Sequence, residues 1–210
     1  MRRFAYPLGR EAIVRVGVLA LQGDVREHLA AFRLSGAEVQ LVRTAEDLAE
    51  VDGLGLPGGE STTMSRLIRA FGLEAPLRHR LAAGMPTFST CAGTILLSRE
   101  IQDGVPDQLA LGVLDLRTRR NGYGRQVQSF ECDLDIACLG DPAFRAVFIR
   151  APVIESCGRG VEVLATHDQK PVAVRQGAHV SFTFHPEMTG DLRLHRLFTE
   201  SLAAARDSAA

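Results

Sequence analysis

The sequence predicts an α/β fold, a single domain with a mostly parallel central sheet flanked by helices. Three observations predict it. Apolar runs of strand length alternate with helical patterns at short spacing through the first third of the chain. Ile13–Leu21 is almost continuously apolar, as expected of a central strand buried on both faces. Met85–Leu97 has the pattern of a short buried strand, an abrupt turn at Cys91 and the start of a helix.

Size and composition fit one globular domain. The chain has 210 residues, 46% hydrophobic and 23% charged, and its formal net charge of -1 argues against general attraction to nucleic acid or anionic membranes. No apolar run approaches the roughly 20 residues that span a bilayer. The four cysteines form no C-x-x-C pair, which argues against a zinc knuckle or a disulfide scaffold and predicts a cytoplasmic protein: Cys91, Cys132, Cys138 and Cys157.

Three segments are expected along the chain. Residues 1–12 have no apolar segment of signal-peptide length and are expected to be a flexible N-terminal extension. Residues 13–205 form the predicted domain, and residues 206–210 a flexible tail. Within the first third, Asp24 is a candidate N-cap for a helix that continues to Ser35, where Gly36 terminates it. A short helix at Ala45–Val51 lies between two further strands, Val39–Val42 and Gly53–Leu56.

The rest of the chain is richer in strands. Helical patterns at Thr63–Phe71 and Pro76–Ala83 lead to the Cys91 turn, and a polar loop, Gln102–Gln108, follows the next helix. Alternating or apolar runs then predict strands at Leu111–Thr118, Ser129–Asp135, Ala146–Ile149, Val161–Thr166, Pro171–Arg175 and His179–Phe184. A helix at about Leu192–Ala204 closes the domain.

Cys91 is the strongest candidate for a catalytic side chain. A nucleophile on a sharp strand-to-helix turn projects from the end of the sheet, and Ser89 and Gly93 are small where such a turn is crowded. The backbone N–H groups of the following helix favour a thiolate and can stabilise an oxyanion. A lone cysteine is more often a small buried residue, but the spacing of this turn favours a nucleophile.

A second candidate site follows the third predicted strand, at Pro57–Thr63. Its paired glycines allow close approach of the backbone to a ligand, just before a helix N-terminus. A plain turn with a Ser/Thr cap is the alternative. Ligands of open α/β sheets bind at the carboxyl ends of the strands, the same edge that carries Cys91, which favours a binding loop.

His185 and Glu187 end the last predicted strand and are candidates for a base and its orienting carboxylate. Residues two apart in an extended segment point the same way, so both side chains are expected to face one site. The remaining histidines have no carboxylate at this spacing and are expected to play no part: His28, His79, His167, His179 and His195. Asp191 is expected to be only a helix cap.

These motifs together resemble a known family. T-C-A-G at 90–93, P-G-G-E-S-T-T at 57–63 and F-H-P-E at 184–187 are similar to those of class I glutamine amidotransferases, whose sheet is flavodoxin-like. More closely, the chain resembles the glutaminase subunits of pyridoxal 5'-phosphate synthases over about residues 14–200. The motifs that carry this closer resemblance are G-V-L-A-L-Q-G-D at 17–24, R-N-G-Y-G-R-Q at 120–126, S-F-E at 129–131 and F-I-R-A-P at 148–152.

The resemblance implies a role for each matching residue. Cys91 would be the nucleophile, His185 its base and Glu187 the orienting carboxylate. Backbone N–H groups of Gly58, Gly59 and Ala92 would form the oxyanion hole. Glutamine would be held by Gly59, Glu60, Ser61, Arg120, Ile149 and Arg150. The implied reaction releases ammonia for a separate synthase subunit that builds pyridoxal 5'-phosphate from sugar phosphates, with no metal or cofactor on this chain.

The chain departs from that family's usual pattern at a few positions. Ser89 stands where the family usually has Gly, Thr94 and Met188 where it has Leu, Thr183 where it has Ser, and Gly122 where it has an aliphatic or polar residue. Ser89 matters most, because its Cβ presses on the turn; it is expected to be tolerated, with some effect on the strain of the turn or on the rate.

Three other functions remain open at this point. The chain could be the glutaminase of another synthase, a cysteine peptidase or redox thiol protein on a similar scaffold, or a non-catalytic regulatory subunit. The Pro57–Thr63 and 120–126 motifs argue against the first, and the intact Cys91, His185 and Glu187 argue against the last.

Overall fold

The computed structural model describes residues 13–120, 122 and 129–209. The predicted extension at 1–12, residue 210 and motif residues 121 and 123–126 lie outside this part. The first elements in chain order are β1 (Arg15–Leu19), α1 (Val25–Leu34), β2 (Glu38–Val42), α2 (Ala45–Ala49), β3 (Gly53–Leu56), α3 (Ser61–Ala70), α4 (Glu74–Ala82), β4 (Thr87–Thr90) and α5 (Ala92–Leu97). They are followed by β5 (Ser98–Gln102), β6 (Leu114–Arg119), β7 (Ser129–Leu134), β8 (Phe144–Ile149), β9 (Val153–Cys157), β10 (Glu162–His167), β11 (Lys170–Gln176), β12 (His179–Phe182), a 3₁₀ turn (Pro186–Met188) and α6 (Arg193–Ala209).

A seven-stranded sheet forms the centre, in the order β10-β11-β12-β4-β3-β1-β2. The five strands from β12 to β2 are parallel to their neighbours, whereas β11 and β10 are antiparallel. Read from the other edge, the parallel part has the strand order of a flavodoxin-like sheet, with β12 as its fifth strand. The predicted α/β fold with a mostly parallel sheet is confirmed.

Apolar side chains fill both faces of this sheet. One cluster joins the sheet to α1 and α6 through Phe32, Phe88, Phe182 and Phe198. The other joins it to α3, α4 and α5 through residues such as Leu56, Met64, Leu77 and Leu96. Because both faces are covered, the inner strands β1 and β3 are apolar along nearly their whole length, which is the pattern that made them predictable. Among the described residues, no helix is both long and apolar enough to cross a membrane.

Two strands were not predicted, and both belong to a small sheet of order β5-β6-β9. α5 runs directly into β5, whose sequence S-R-E-I-Q shows little apolar alternation. Its pairing depends instead on β6, where Arg117 Nε lies 3.0 Å from Glu100 Oε2 across the strands. A third sheet consists of β7 and β8 alone.

Helix ends show where local sequence rules hold. α1 ends before Gly36, whose φ of 90° is the left-handed conformation expected of a terminating glycine. Asp24 occupies the N-cap position of α1, but its side chain makes no capping hydrogen bond. α3 begins at Ser61, two residues before the predicted start, because the Glu60 carboxylate caps it. α6 continues through Ala209, so residues 206–209 extend a helix where a tail was expected.

Candidate active site

Cys91 lies at the turn between β4 and α5, as predicted. Its φ of 46° and ψ of −102° are strained for a residue other than glycine. Two hydrogen bonds of the Cys91 backbone stabilise this strained conformation. Cys91 N donates to Phe182 O at 2.8 Å, and Ile95 N donates to Cys91 O at 3.3 Å. Gly93 must lack a side chain, since an added Cβ would lie 2.3 Å from Leu56 O. The predicted sharp turn with a small residue two places later is confirmed.

Ser89 is accommodated without exposed or unpaired polar atoms. It is fully buried, and its hydroxyl donates to Ser181 Oγ at 2.8 Å on the neighbouring strand. Ser181 in turn contacts Thr94. Ser89 and Thr94, the two residues nearest Cys91 in sequence that differ from the family pattern, therefore both contact Ser181.

His185 and Glu187 form a close pair, as predicted, although by a different local geometry. β12 ends at Phe182, and Glu187 lies in the 3₁₀ turn Pro186–Met188, so the two residues do not share an extended strand. The turn brings Glu187 Oε1 to 2.8 Å from His185 Nδ1. His185 is anchored by its backbone N–H, which donates to Val147 O at 2.8 Å.

A second carboxylate also reaches His185. Asp24 Oδ2 lies 3.2 Å from the same Nδ1 atom, which explains why Asp24 does not cap α1. Burial, the largest single influence, lowers the pKa of His185, but the interactions with Asp24, Cys91 and Glu187 outweigh it and raise the pKa. Nε2 has no hydrogen-bond partner among the described residues, and the Cys91 side chain lines the same cavity as His185.

Glu187 is enclosed by a second imidazole that the sequence did not reveal. His28 is fully buried, with Nε2 at 3.4 Å from Glu187 Oε1 and 3.0 Å from Thr90 Oγ1. Burial raises the pKa of Glu187, but His28 and His185 outweigh it and lower the pKa, so the carboxylate is ionised. His28 was expected to play no part in the site, but it contacts the Glu187 carboxylate.

His28 could have been predicted as a site residue only from its place near the carboxyl end of β1. Asp24 and His28 are four residues apart at the start of α1, so both face the same side of that helix. That helix begins at the carboxyl end of β1, the edge that also carries Cys91 and His185. Three histidines lie away from this group: His79 is exposed on α4, His167 contacts Cys132 and His179 contacts Thr87. His195 was also expected to play no part, but its ring lies 5.8 Å from the ring of His28. His195 packs 4.6 Å from the Phe88 ring, and burial lowers its pKa to about 3.

A cavity of about 420 Å³ opens over Cys91 and His185. All six residues predicted to hold glutamine line it: Gly59, Glu60, Ser61, Arg120, Ile149 and Arg150. Gln22, Gly23, Asp24 and Ile95 also line it and were not predicted. The first three follow β1 at the same edge as the predicted loop, so the edge argument applied to Pro57–Thr63 would have included them.

Glu60 and Arg120 form an ion pair in this cavity, with Arg120 Nη2 2.8 Å from Glu60 Oε1. The Glu60 carboxylate also accepts hydrogen bonds from the backbone and hydroxyl groups of Thr62 and Thr63. Partial burial, the largest single influence, raises its pKa, but these hydrogen bonds lower it to about 2. Glu60 therefore holds Arg120 in the cavity as a fixed negative charge.

The Gly58–Gly59 loop packs directly against the imidazole. A Cβ at Gly58 would lie 2.3 Å from His185 Cε1, and Gly59 has a φ of 151°. Gly58 O accepts from Asp24 N at 3.2 Å, and Glu60 N donates to Gln22 Oε1 at 2.7 Å. Gly58 therefore permits close approach of this loop to His185, whereas the predicted approach of the loop to a ligand stays a prediction.

Only Asp24, His185 and Glu187 offer grouped metal-ligand atoms among the described residues, all within 4.8 Å of one another. His185 Nδ1 is already the hydrogen-bond partner of both carboxylates. An N–H donor cannot also ligate a metal, so these residues are better explained as a base with its orienting acids.

This fold, with a Cys–His–Glu group at the carboxyl ends of its parallel strands, defines the glutamine amidotransferase class of α/β proteins. A solved structure described as "Crystal structure of glutamine amidotransferase" superposes with a TM-score of 0.83 at 52% identity, over 90% of this chain and 98% of that one. A second glutamine amidotransferase structure, from Thermotoga maritima, has a TM-score of 0.58 at 14% identity over 93% and 95% of the two chains, which supports the fold alone.

Within that class, the chain belongs to the SNO glutamine amidotransferase family, whose model matches residues 18–204. It is 58% identical to "Pyridoxal 5'-phosphate synthase subunit PdxT" of Parafrankia sp. over 89% of this chain and 92% of that protein. The protein of the same name from Kosmotoga olearia is 53% identical over 90% and 98%. The resemblance drawn from the motifs is confirmed.

Proposed function

We propose that this chain hydrolyses L-glutamine to L-glutamate and ammonia through a γ-glutamyl thioester on Cys91. The observation that carries the proposal is the 2.8 Å contact between His185 Nδ1 and Glu187 Oε1, with Nε2 unpaired and Cys91 in the same cavity. An imidazole oriented in this way can accept the thiol proton as the sulfur attacks the amide carbon.

His185 carries the thiol proton through the two steps of the reaction. His185 returns it to the leaving nitrogen, so that ammonia departs as the C–N bond of the tetrahedral intermediate breaks. Water attacks the thioester next and gives its proton to His185, and the S–C bond breaks to release glutamate. Glu187 remains ionised throughout and stabilises the imidazolium. Backbone N–H groups of Ala92 and the Gly58–Gly59 loop are the proposed donors to the oxyanion.

The cavity suits an amino acid with both an α-carboxylate and an α-ammonium group. Arg120, held by Glu60, presents a planar guanidinium with donors to spare for a carboxylate. Arg150 and Ser61 line the same cavity. Ile149 O lies 3.9 Å from Cys91 Sγ, which places the Ile149–Arg150 segment beside the reacting end.

We further propose that the ammonia passes to a separate subunit of a pyridoxal 5'-phosphate synthase. The support is the name, pyridoxal 5'-phosphate synthase subunit, that relatives 53–58% identical to this chain share. The partner would carry the sugar-phosphate chemistry, and this chain would need no metal or cofactor. In this proposal residues 13–205 form the amidotransferase domain. A cytoplasmic location stays a prediction from cysteine usage.

The test is glutamate release from glutamine, with and without the candidate synthase subunit. Wild type should be active and stimulated by that subunit, and Cys91→Ala should be inactive. Cys157→Ala is the matched control, because this free cysteine lies on β9 away from the cavity. Activity retained in Cys91→Ala would reject the triad. Glutamine hydrolysis without any effect of this partner would favour the glutaminase of another synthase.

A further inference from the structure

Three buried hydroxyl groups form a continuous chain beneath Cys91. Ser89 Oγ donates to Ser181 Oγ at 2.8 Å, and Ser181 Oγ donates to Thr94 Oγ1 at 2.8 Å. Thr94 Oγ1 then donates to Phe182 O at 2.7 Å. All three side chains are fully buried, and none of their hydroxyls lacks a partner among the described residues.

The chain ends on the atom that holds the nucleophile's backbone. Phe182 O accepts the Thr94 hydroxyl and also the Cys91 N–H, the latter at 2.8 Å. One carbonyl with two lone pairs thus joins the first turn of α5 to the strained residue just before it. A shift of Thr94 would change the partner geometry of Cys91 directly.

The hydroxyls also connect the three elements that create the turn. Ser89 belongs to β4, Ser181 to β12 and Thr94 to α5, and Ser89 pairs with Ser181 in the parallel register. Each inner hydroxyl donates once and accepts once, so the donors all run in one direction. Such a chain is polarised cooperatively, and the loss of one member leaves buried polar groups unpaired.

We propose that Ser89, Ser181 and Thr94 are positioning residues that hold Cys91 in its strained conformation for attack. The inference rests on the proposed function, since the position that matters is that of the nucleophile. The hydroxyls do not touch the substrate. They fix the angle at which β4, β12 and α5 meet, and through Phe182 O they fix the backbone of Cys91.

Thr94→Val tests this inference in the full chain with its synthase partner, because valine keeps the shape of threonine and removes the hydroxyl. We expect kcat to fall about tenfold with KM changed less than about twofold, as for one lost interaction in the transition state. Thr94→Ser restores the hydroxyl and should keep kcat within about twofold of wild type. Thr199→Val is the matched control, since Thr199 is a buried threonine on α6.

Melting curves separate positioning from folding. If Thr94→Val and Thr199→Val lose similar stability but neither loses kcat, the hydroxyl chain is structural only and the proposal is overturned. If Thr94→Val does not fold, Ser89→Ala replaces it, because this change removes only the first donor. An inactive wild type would reject the proposed function, whereas an active wild type with an unaffected Thr94→Val would reject this inference alone.

A double variant shows whether the residues act as one unit. Ser89→Ala and Thr94→Val lie at the two ends of the same chain of hydroxyls. The second change should therefore lower kcat by a smaller factor when the first is already present. Effects on kcat that multiply independently would contradict a connected chain.

Discussion

Two buried polar networks lie on opposite faces of the sheet below Cys91, and they differ in charge and in completeness. The hydroxyl chain of Ser89, Ser181 and Thr94 is neutral and closed. The imidazole–carboxylate cluster, formed by Asp24, His28, His185 and Glu187, is charged and open. Among the described residues, His28 Nδ1, His185 Nε2 and Glu187 Oε2 have no hydrogen-bond partner. Every hydroxyl of the Ser89, Ser181 and Thr94 chain is paired.

The alternation of β4 separates the two networks. Ser89 points toward α5, and the next residue, Thr90, points to the other face, where its hydroxyl meets His28 Nε2 at 3.0 Å. Buried polar groups cost stability when unpaired. A network that only fixes geometry can therefore be closed, while one that moves a proton must keep an atom free for it. The difference predicts which changes abolish activity and which only reduce it.

The largest effect is expected from His185→Ala in the charged cluster. It removes the proposed base, so kcat should fall by roughly 10⁴-fold or more. His79→Ala is the control, because His79 is exposed on α4. Measurement of glutamate release in the presence of the partner compares the two. A loss of only tenfold would put His185 on a par with the hydroxyl chain and would remove the distinction between the networks.

His28→Gln should have a smaller effect, since His28 acts only through Glu187. We expect kcat to fall about tenfold with little change in KM, because glutamine can still donate to a carboxylate but cannot fill the place of the ring. The acid limb of the pH profile of kcat should also move to higher pH, because His28 lowers the pKa of Glu187 and its loss raises that pKa. A purely structural role would leave that profile unchanged.

The control for His28→Gln is His179→Gln. His179 is a partly buried histidine that contacts Thr87 at the opposite end of β4 and β12. Its replacement should leave both kcat and the pH profile as in wild type.

The smallest effect is expected at Glu60, whose charge is partly exposed and therefore screened. Glu60→Gln should lower the melting temperature at pH 7 by about 1–3 °C. Because its pKa is lowered from 4.5 to about 2, the stabilisation is present above about pH 4.5 and is lost as the pH falls toward 2. The difference between variant and wild type should therefore shrink in melting curves recorded at pH 7, 4 and 3. A difference that grows on acidification would contradict the sign of this pKa shift.

The sequence was sufficient where the signal is local. The apolar run of β1 and the turn at Cys91 can each be recognised from a pattern of about ten residues. The Glu187 position followed from a local motif, although the turn that brings it to His185 did not. β5 was missed because its pairing with β6, and not its own pattern, makes it a strand.

Contacts between distant residues were beyond a single sequence. Thr90 and Glu187 meet across 97 positions, and Ser89 and Ser181 across 92. No residue near Ser89 in the sequence indicates a hydroxyl partner, so its Cβ was expected to press on the turn and to be tolerated with some effect on strain or rate. Only the parallel register of β4 with β12 shows that Ser89 lies beside a serine whose hydroxyl accepts its hydrogen bond.

The position of β12 has a consequence for synthesis of the chain on a ribosome. This strand is translated after the other six strands of its sheet, yet it lies inside the sheet between β4 and β11 and leads directly to His185. A nascent chain that has already exposed Cys91 therefore has neither the carbonyl of Phe182 nor the imidazole of His185. The thiol gains its proposed base only after β12 has been inserted into the sheet.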